Sequence, residues 1–203
     1  MTGYLFEHGG NVLEAQQFND MGSGAFFMRV EFDPDGANLA ELRTGLTALA
    51  REYAMHWRLR SKATPRKVLM LVSKFDHCLG DLLYRQRIGE LPMEVVGVVG
   101  NHPREALNIS LIGDVPYFHF PITKDIKPEQ EARIKALVDE SGADLDEGAI
   151  IHQDVENVSH ADSPEDMVRK GRDIERRVLA EAVRLHLQDR VLLNRDRTVV
   201  FRT

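Results

Sequence analysis

Hydrophobic and polar positions along the chain fall into runs with two different periods. Tyr4-Leu5-Phe6-Glu7-His8 reads as a helix end, closed by Gly9-Gly10 in the manner of a C-cap. Asn11 to Phe18 alternates apolar and polar residues, the period of a half-buried strand. Met21-Gly22-Ser23-Gly24 is a turn and Ala25 to Phe32 a second strand, so 11–32 predicts a hairpin. Asp33-Pro34-Asp35-Gly36 breaks it. Leu39, Leu42, Leu46, Leu49 and Tyr53 then recur at helical spacing across 38–55, and His56 to Arg60 predicts one more short strand.

The stretch 61–66, SKATPR, is polar and contains a proline, which marks it as a linker. Beyond it the period changes. Val68 to Val72 and Met93 to Val99 are nearly continuous apolar runs, as in parallel strands buried on both faces. A helix is predicted over 76–87, and Asn101-His102-Pro103 opens a loop with a further short helix. Tyr117 to Ile122 is a third strand. Lys127 to Ser141 is a helix with proline early and Gly142 at its end. The alternation predicts an α/β protein with a doubly wound parallel sheet. Ser163-Pro164-Glu165-Asp166 is an N-terminal helix signal: an N-cap serine, proline in the first position, acids in the first turn. That helix is expected to reach Leu187, amphipathic throughout and solvated on one face. Two short strands, 190–194 and 198–202, follow around the turn NRDR.

Between these helices lies SGADLDEGAIIHQDV, residues 141–155. Three acids surround a leucine, precede Gly148 and pass at once into Ala149-Ile150-Ile151. Taken alone, the pattern is an acidic turn before a buried strand.

Composition narrows the class. The chain has 203 residues, 43% of them hydrophobic and 29% charged, enough for a real core in one large domain or two small ones. The net charge of -6 argues against general nucleic-acid binding, which needs a basic face. One cysteine, Cys78, rules out an intrachain disulfide and fits a reducing compartment. The N-terminus lacks the pattern of a signal peptide, and no apolar run has the length of a membrane span. A cytoplasmic protein without membrane contact is expected. His102, His119 and His152 show no metal-ligand spacing and Cys78 has no second cysteine, so no metal is expected.

Several segments together resemble one family. FEHGGNVLEAQQFND, FFMRVEF, VLMLVSKFDHCLGDLLYRQRIGELPMEVVGVVGNHP, LDEGAIIHQDV and RKGRDIERRVLAEAVRLHLQDRVLLNRDRTVVF are similar to stretches of the formyltetrahydrofolate deformylases and span nearly the whole chain. The resemblance implies a partial ACT-like regulatory domain of βαββαβ type over 1–60, the linker at 61–66, and a truncated Rossmann-like formyltransferase-type catalytic domain over 67–203 with a mainly parallel sheet. It implies hydrolysis of 10-formyltetrahydrofolate to tetrahydrofolate and formate, which supplies formate for purine biosynthesis and balances the one-carbon pool. Folate is then a substrate, and no cofactor is implied. By motif, Asp146 matches the catalytic aspartate of the family's L-D-E-G loop, while Leu145, Glu147 and Gly148 match the substrate-contacting remainder. Asn11, just after Gly9-Gly10, resembles the effector-contacting asparagine of ACT domains that bind amino acids; a cap or turn asparagine is the simpler reading. A homo-oligomer is expected.

Three departures qualify this. The chain begins inside the first ACT helix, without the preceding strand and R-P-G-I type loop. The family's N-x-H-H-S-x-L-P motif, whose Asn and His polarise the formyl carbonyl and handle the proton, is absent from the sequence, as is the A-R-Y-M type folate contact. Both belong between the helix ending near Ala143 and the LDEG loop, so SGADL and LDEGAII form a junction. Severe impairment of catalysis is expected. Two alternatives follow: an ACT-bearing regulatory or assembly protein, or a glycinamide ribonucleotide formyltransferase. The second is weakened by 73–78, SKFDHC. In those transferases the loop after the first parallel strand is glycine-rich and seats a phosphate on helix N-terminal amides. Here Lys74, Phe75 and His77 stand in place of those glycines. The simpler reading makes Phe75 and Cys78 core residues.

Overall fold

The computed structural model describes residues 1–107, 110–122, 126–142 and 149–202. They form two compact units, one of Met1–Thr64 with the last residues of the chain, the other of Pro65–Val200.

In the first unit helix α1 (Thr2–Glu7) leads into an antiparallel hairpin, β1 (Asn11–Asp20) and β2 (Ala25–Asp33), followed by helix α2 (Leu39–Glu52). The end of α1 follows from its glycines. Gly9, at φ 81°, donates to the Phe6 carbonyl (3.1 Å), and Gly10 donates to that of Leu5 (2.8 Å). This pair of bonds closes the last turn as a Schellman motif. Leu5, Leu42 and Leu46 form the core, with Val12, Val30 and Phe32 from the hairpin packed against them. The register shifts between Val12 and Glu14, leaving Leu13 as a bulged, exposed residue. No strand forms over 56–60. The apolar alternation there has another cause: the side chains of Trp57 and Leu59 pack onto the Leu5 core.

In the second unit β3 (Arg66–Val72), β4 (Met93–Gly100) and β5 (Tyr117–His119) form a parallel sheet in the order β3-β4-β5. The strands follow chain order, so the described sheet lacks the reversal of a doubly wound one. β5 is shorter than its pattern suggests. Phe120 still donates to the Gly100 carbonyl, but Pro121 has no N–H with which to extend the ladder. Helix α3 (His77–Arg87) links β3 to β4; among the described residues two short 3₁₀ turns, Arg104–Ala106 and Ser110–Ile112, lie between β4 and β5. Helices α4 (Lys127–Ser141) and α5 (Pro164–Leu187) follow, then the hairpin β6 (Val191–Asn194) and β7 (Arg197–Val200). Gly142, at φ 65°, ends α4 as expected.

Met70, Leu79, Leu82, Leu83, Val98, Ala180 and Leu187 make one core from β3, α3, β4 and α5. Gly100 makes room for Tyr117 where β4 meets β5: a Cβ there would lie 1.9 Å from the Tyr117 hydroxyl oxygen, and the ring would have to move. Among the described residues no helix is long and apolar enough to cross a membrane.

Candidate functional site

Parallel α/β sheets present their chemistry beyond the carboxyl ends of the strands, where loops leave the sheet and helices begin. Here those ends are Val72, Gly100 and His119. The loop Ser73–Asp76 leads from β3 into the first turn of α3, and Asn101-His102-Pro103 leads from β4. Between them lies an open cleft of about 520 Å³, lined by Lys74, Phe75, Asp76, His77 and His102, with Arg172 contributed by α5.

Phe75 is 61% exposed and forms part of the cleft wall rather than the core. A bulky ring at a polar loop survives there because two cations cover it. The Arg172 guanidinium sits 5.4 Å from the ring centroid and Lys74 Nζ 5.9 Å. Cys78 is only partly buried, behind the loop. His77 Nε2 lies 2.7 Å from Glu175 Oε2 of α5, while its Nδ1 is enclosed without a hydrogen-bond partner, as is Asn101 Oδ1 at the end of β4. Burial holds the Cys78 thiol above its ordinary pKa, and the carboxylates of Glu175 and Asp81 push the same way against Arg176. The Tyr117 hydroxyl donates to the His102 carbonyl (2.7 Å) and fixes the loop after β4. Its pKa is raised, first by burial and then by Glu105.

The arrangement is a cationic, aromatic-walled cleft at the mouth of a parallel sheet, suited to a flat, anionic organic molecule. A second, more open depression of about 540 Å³ is framed by 103–105 and 113–119. There Arg104 already donates to the Gly113 carbonyl (2.6 Å).

Leu145, Asp146, Glu147 and Gly148 lie outside the described residues. The chain that follows them carries no strand over 150–158. Ile150 is 71% exposed, and its carbonyl accepts from Thr198 Oγ1 (2.6 Å), so the apolar run 149–151 is not a buried strand. Asn11 opens β1, exposed and opposite Asp33. His119 ends β5 and faces solvent; His152 is half-buried. Sequence reasoning missed Arg172 and Glu175. Both sit in a helix read only as amphipathic, and their signal is a spacing of three that sets them on one face of α5.

No protein-family model matches the chain. Curated relatives do. A formyltetrahydrofolate deformylase of Corynebacterium sp. (strain P-1) is 35% identical, with 100% of this chain and 92% of the relative covered. One from Synechocystis sp. is 33% identical, covering 98% and 91%. The Corynebacterium match runs over 265 residues and this chain has 203, so at least 62 aligned positions have no counterpart here. Among solved structures, the formyltetrahydrofolate deformylase of Pseudomonas putida KT2440 superposes with a TM-score of 0.89 at 37% identity, covering 98% of this chain and 93% of that one. That of Burkholderia mallei gives 0.91 at 33%, covering 99% and 93%. Glycinamide ribonucleotide transformylase 1 of Symbiobacterium toebii shares the fold alone, with a TM-score of 0.59 at 16% identity over 73% of this chain and 99% of that one.

Proposed function

The chain belongs to the formyltetrahydrofolate deformylase family, and we propose that it takes 10-formyltetrahydrofolate and releases formate and tetrahydrofolate, at a rate well below that of its longer relatives. The observation that carries this reading is the match to deformylases along all of this chain. Favouring hydrolysis over transfer to a ribonucleotide, the loop after β3 offers Lys74, Phe75 and His77 where a phosphate would need bare backbone.

Hydrolysis of an N-formyl group needs a donor for the oxyanion, a base for water and an acid for the leaving nitrogen. On this reading Asp146 orients the proton-transfer group or the water, and Leu145, Glu147 and Gly148 line the pterin. The Asn and His of the N-x-H-H-S-x-L-P motif have no counterpart in the sequence. Water is the nucleophile, and no cofactor takes part. Residues 1–60 serve as an ACT-like regulatory domain, with Asn11 at an amino-acid effector site, and the chain works as a homo-oligomer in the cytoplasm. Asp146→Asn is expected to lower the residual formate release by a further factor of about 10². An unchanged rate removes Asp146 from the mechanism.

The missing aligned positions favour a second reading, a regulatory or assembly partner that no longer turns over substrate. Calorimetry with glycine, methionine and 10-formyltetrahydrofolate separates the two. Folate binding supports the first; binding of an amino acid without folate supports the second.

A further inference from the structure

Beside the cleft three side chains of different chemistry converge. His77 and Cys78 occupy the first turn of α3, and Glu175 reaches across from α5. One ligand atom from each, imidazole nitrogen, thiol sulfur and carboxylate oxygen, lies within 4.8 Å of the others. From this convergence we infer that His77, Cys78 and Glu175 form a binding site for a zinc-type divalent cation, with a fourth position open to water.

The geometry supports such an ion. Bonds of about 2.0–2.3 Å to tetrahedral zinc place ligand atoms roughly 3.3–3.8 Å apart. The cluster needs adjustments of about an ångström, within the reach of side-chain torsions alone. The helices carrying the ligands are held by a shared core, Leu79, Leu82 and Leu83 on one side and Ala180 and Leu187 on the other. The imidazole has capacity to spare: one nitrogen meets Glu175 and the other is enclosed without a partner, whereas a purely structural buried histidine usually spends both. Donor softness selects the ion. A nitrogen, sulfur and oxygen set suits zinc and cobalt, and excludes calcium and magnesium, which take oxygen ligands in larger number. Glu175 is 62% exposed on its side chain, leaving a face for the water.

Binding must displace the thiol proton, because the thiolate is the ligand.

Cys78 is the sole cysteine of the chain, so any thiolate-to-metal charge-transfer band reports this site alone. The experiment is titration of the full-length protein with cobalt(II) under a non-thiol reductant. The expected result is one cobalt per chain, a charge-transfer band that saturates with it, and displacement by zinc. In Cys78→Ser the band is expected to vanish. In Glu175→Gln, a change at an exposed residue that leaves the fold intact, the band is expected to remain while affinity falls at least tenfold. Binding without a charge-transfer band, or unchanged affinity in Glu175→Gln, overturns the assignment. None of these readouts depends on folate turnover, so the site stands or falls separately from the deformylase reading.

Discussion

Arg29 shows how a single side chain reconciles a strand register with its charges. The bulge at Leu13 sets Glu14 directly opposite Glu31, a like-charge pair that by itself weakens a hairpin. Arg29, with its side chain 8% exposed, bridges both carboxylates, and Lys62 pairs with Glu31 from outside. Lys62 and Arg29 hold the Glu31 carboxyl below its ordinary value of 4.5 against the cost of burial. A depressed carboxyl pKa contributes stability that is present above the unfolded value and lost as pH falls through the folded one. Arg29→Leu is expected to destabilise the first unit by about 1–3 kcal/mol, measured as a lower urea midpoint at neutral pH. The difference should shrink as pH falls below 4.5 and through the lower folded value of Glu31, as that carboxylate takes up its proton. A pH-independent difference would mean that Arg29 acts through packing alone. The same scale marks a limit of sequence reading. Phe75 looks like a core residue by type, yet cations on its face let it stand in solvent, and composition carries no sign of that.

Helix α5 is the element whose sequence says most. Ser163 Oγ accepts from the Asp166 N–H (3.1 Å), and Asp166 returns a bond to the Ser163 N–H (3.2 Å), a complete capping box. Ser163→Ala is expected to cost about 1 kcal/mol, read as a lower melting temperature. Arg169, then Ser163, pull the Asp166 carboxyl down to about 2. The contribution of the box is therefore full above the ordinary aspartate value of 3.8 and fades as pH drops toward 2. An acid titration of the melting temperature in which the Ser163→Ala deficit stays constant through that window contradicts the box. Such caps, the glycines after α1 and α4, and the hairpin turn are local, and local signals were legible. The strand expected at 56–60 failed because alternation records only which side chains are buried, and Trp57 and Leu59 are buried on the Leu5 core without a ladder of backbone bonds. The His77–Glu175 contact spans 98 residues between two helices, so no spacing rule could reveal it.

At the scale of the whole molecule, the resemblance along the chain made the fold legible, and the matches to solved deformylases place it there. The catalytic role proposed for Asp146 rests on the L-D-E-G motif. The larger question is how much of a relative's chemistry a chain lacking at least 62 of the aligned positions can keep. Substrate recognition and catalysis need not be lost together, because electrostatic stabilisation of the transition state draws on particular donors while binding is spread over a cleft. Loss of one oxyanion donor alone costs about 10²–10³ in kcat. The central test is formate release from 10-formyltetrahydrofolate, measured side by side for this chain and the full-length Corynebacterium relative under identical conditions. The expected result is measurable release with kcat at least about 10²-fold below the relative. Turnover equal to the relative's, or no release together with no folate binding, would contradict it.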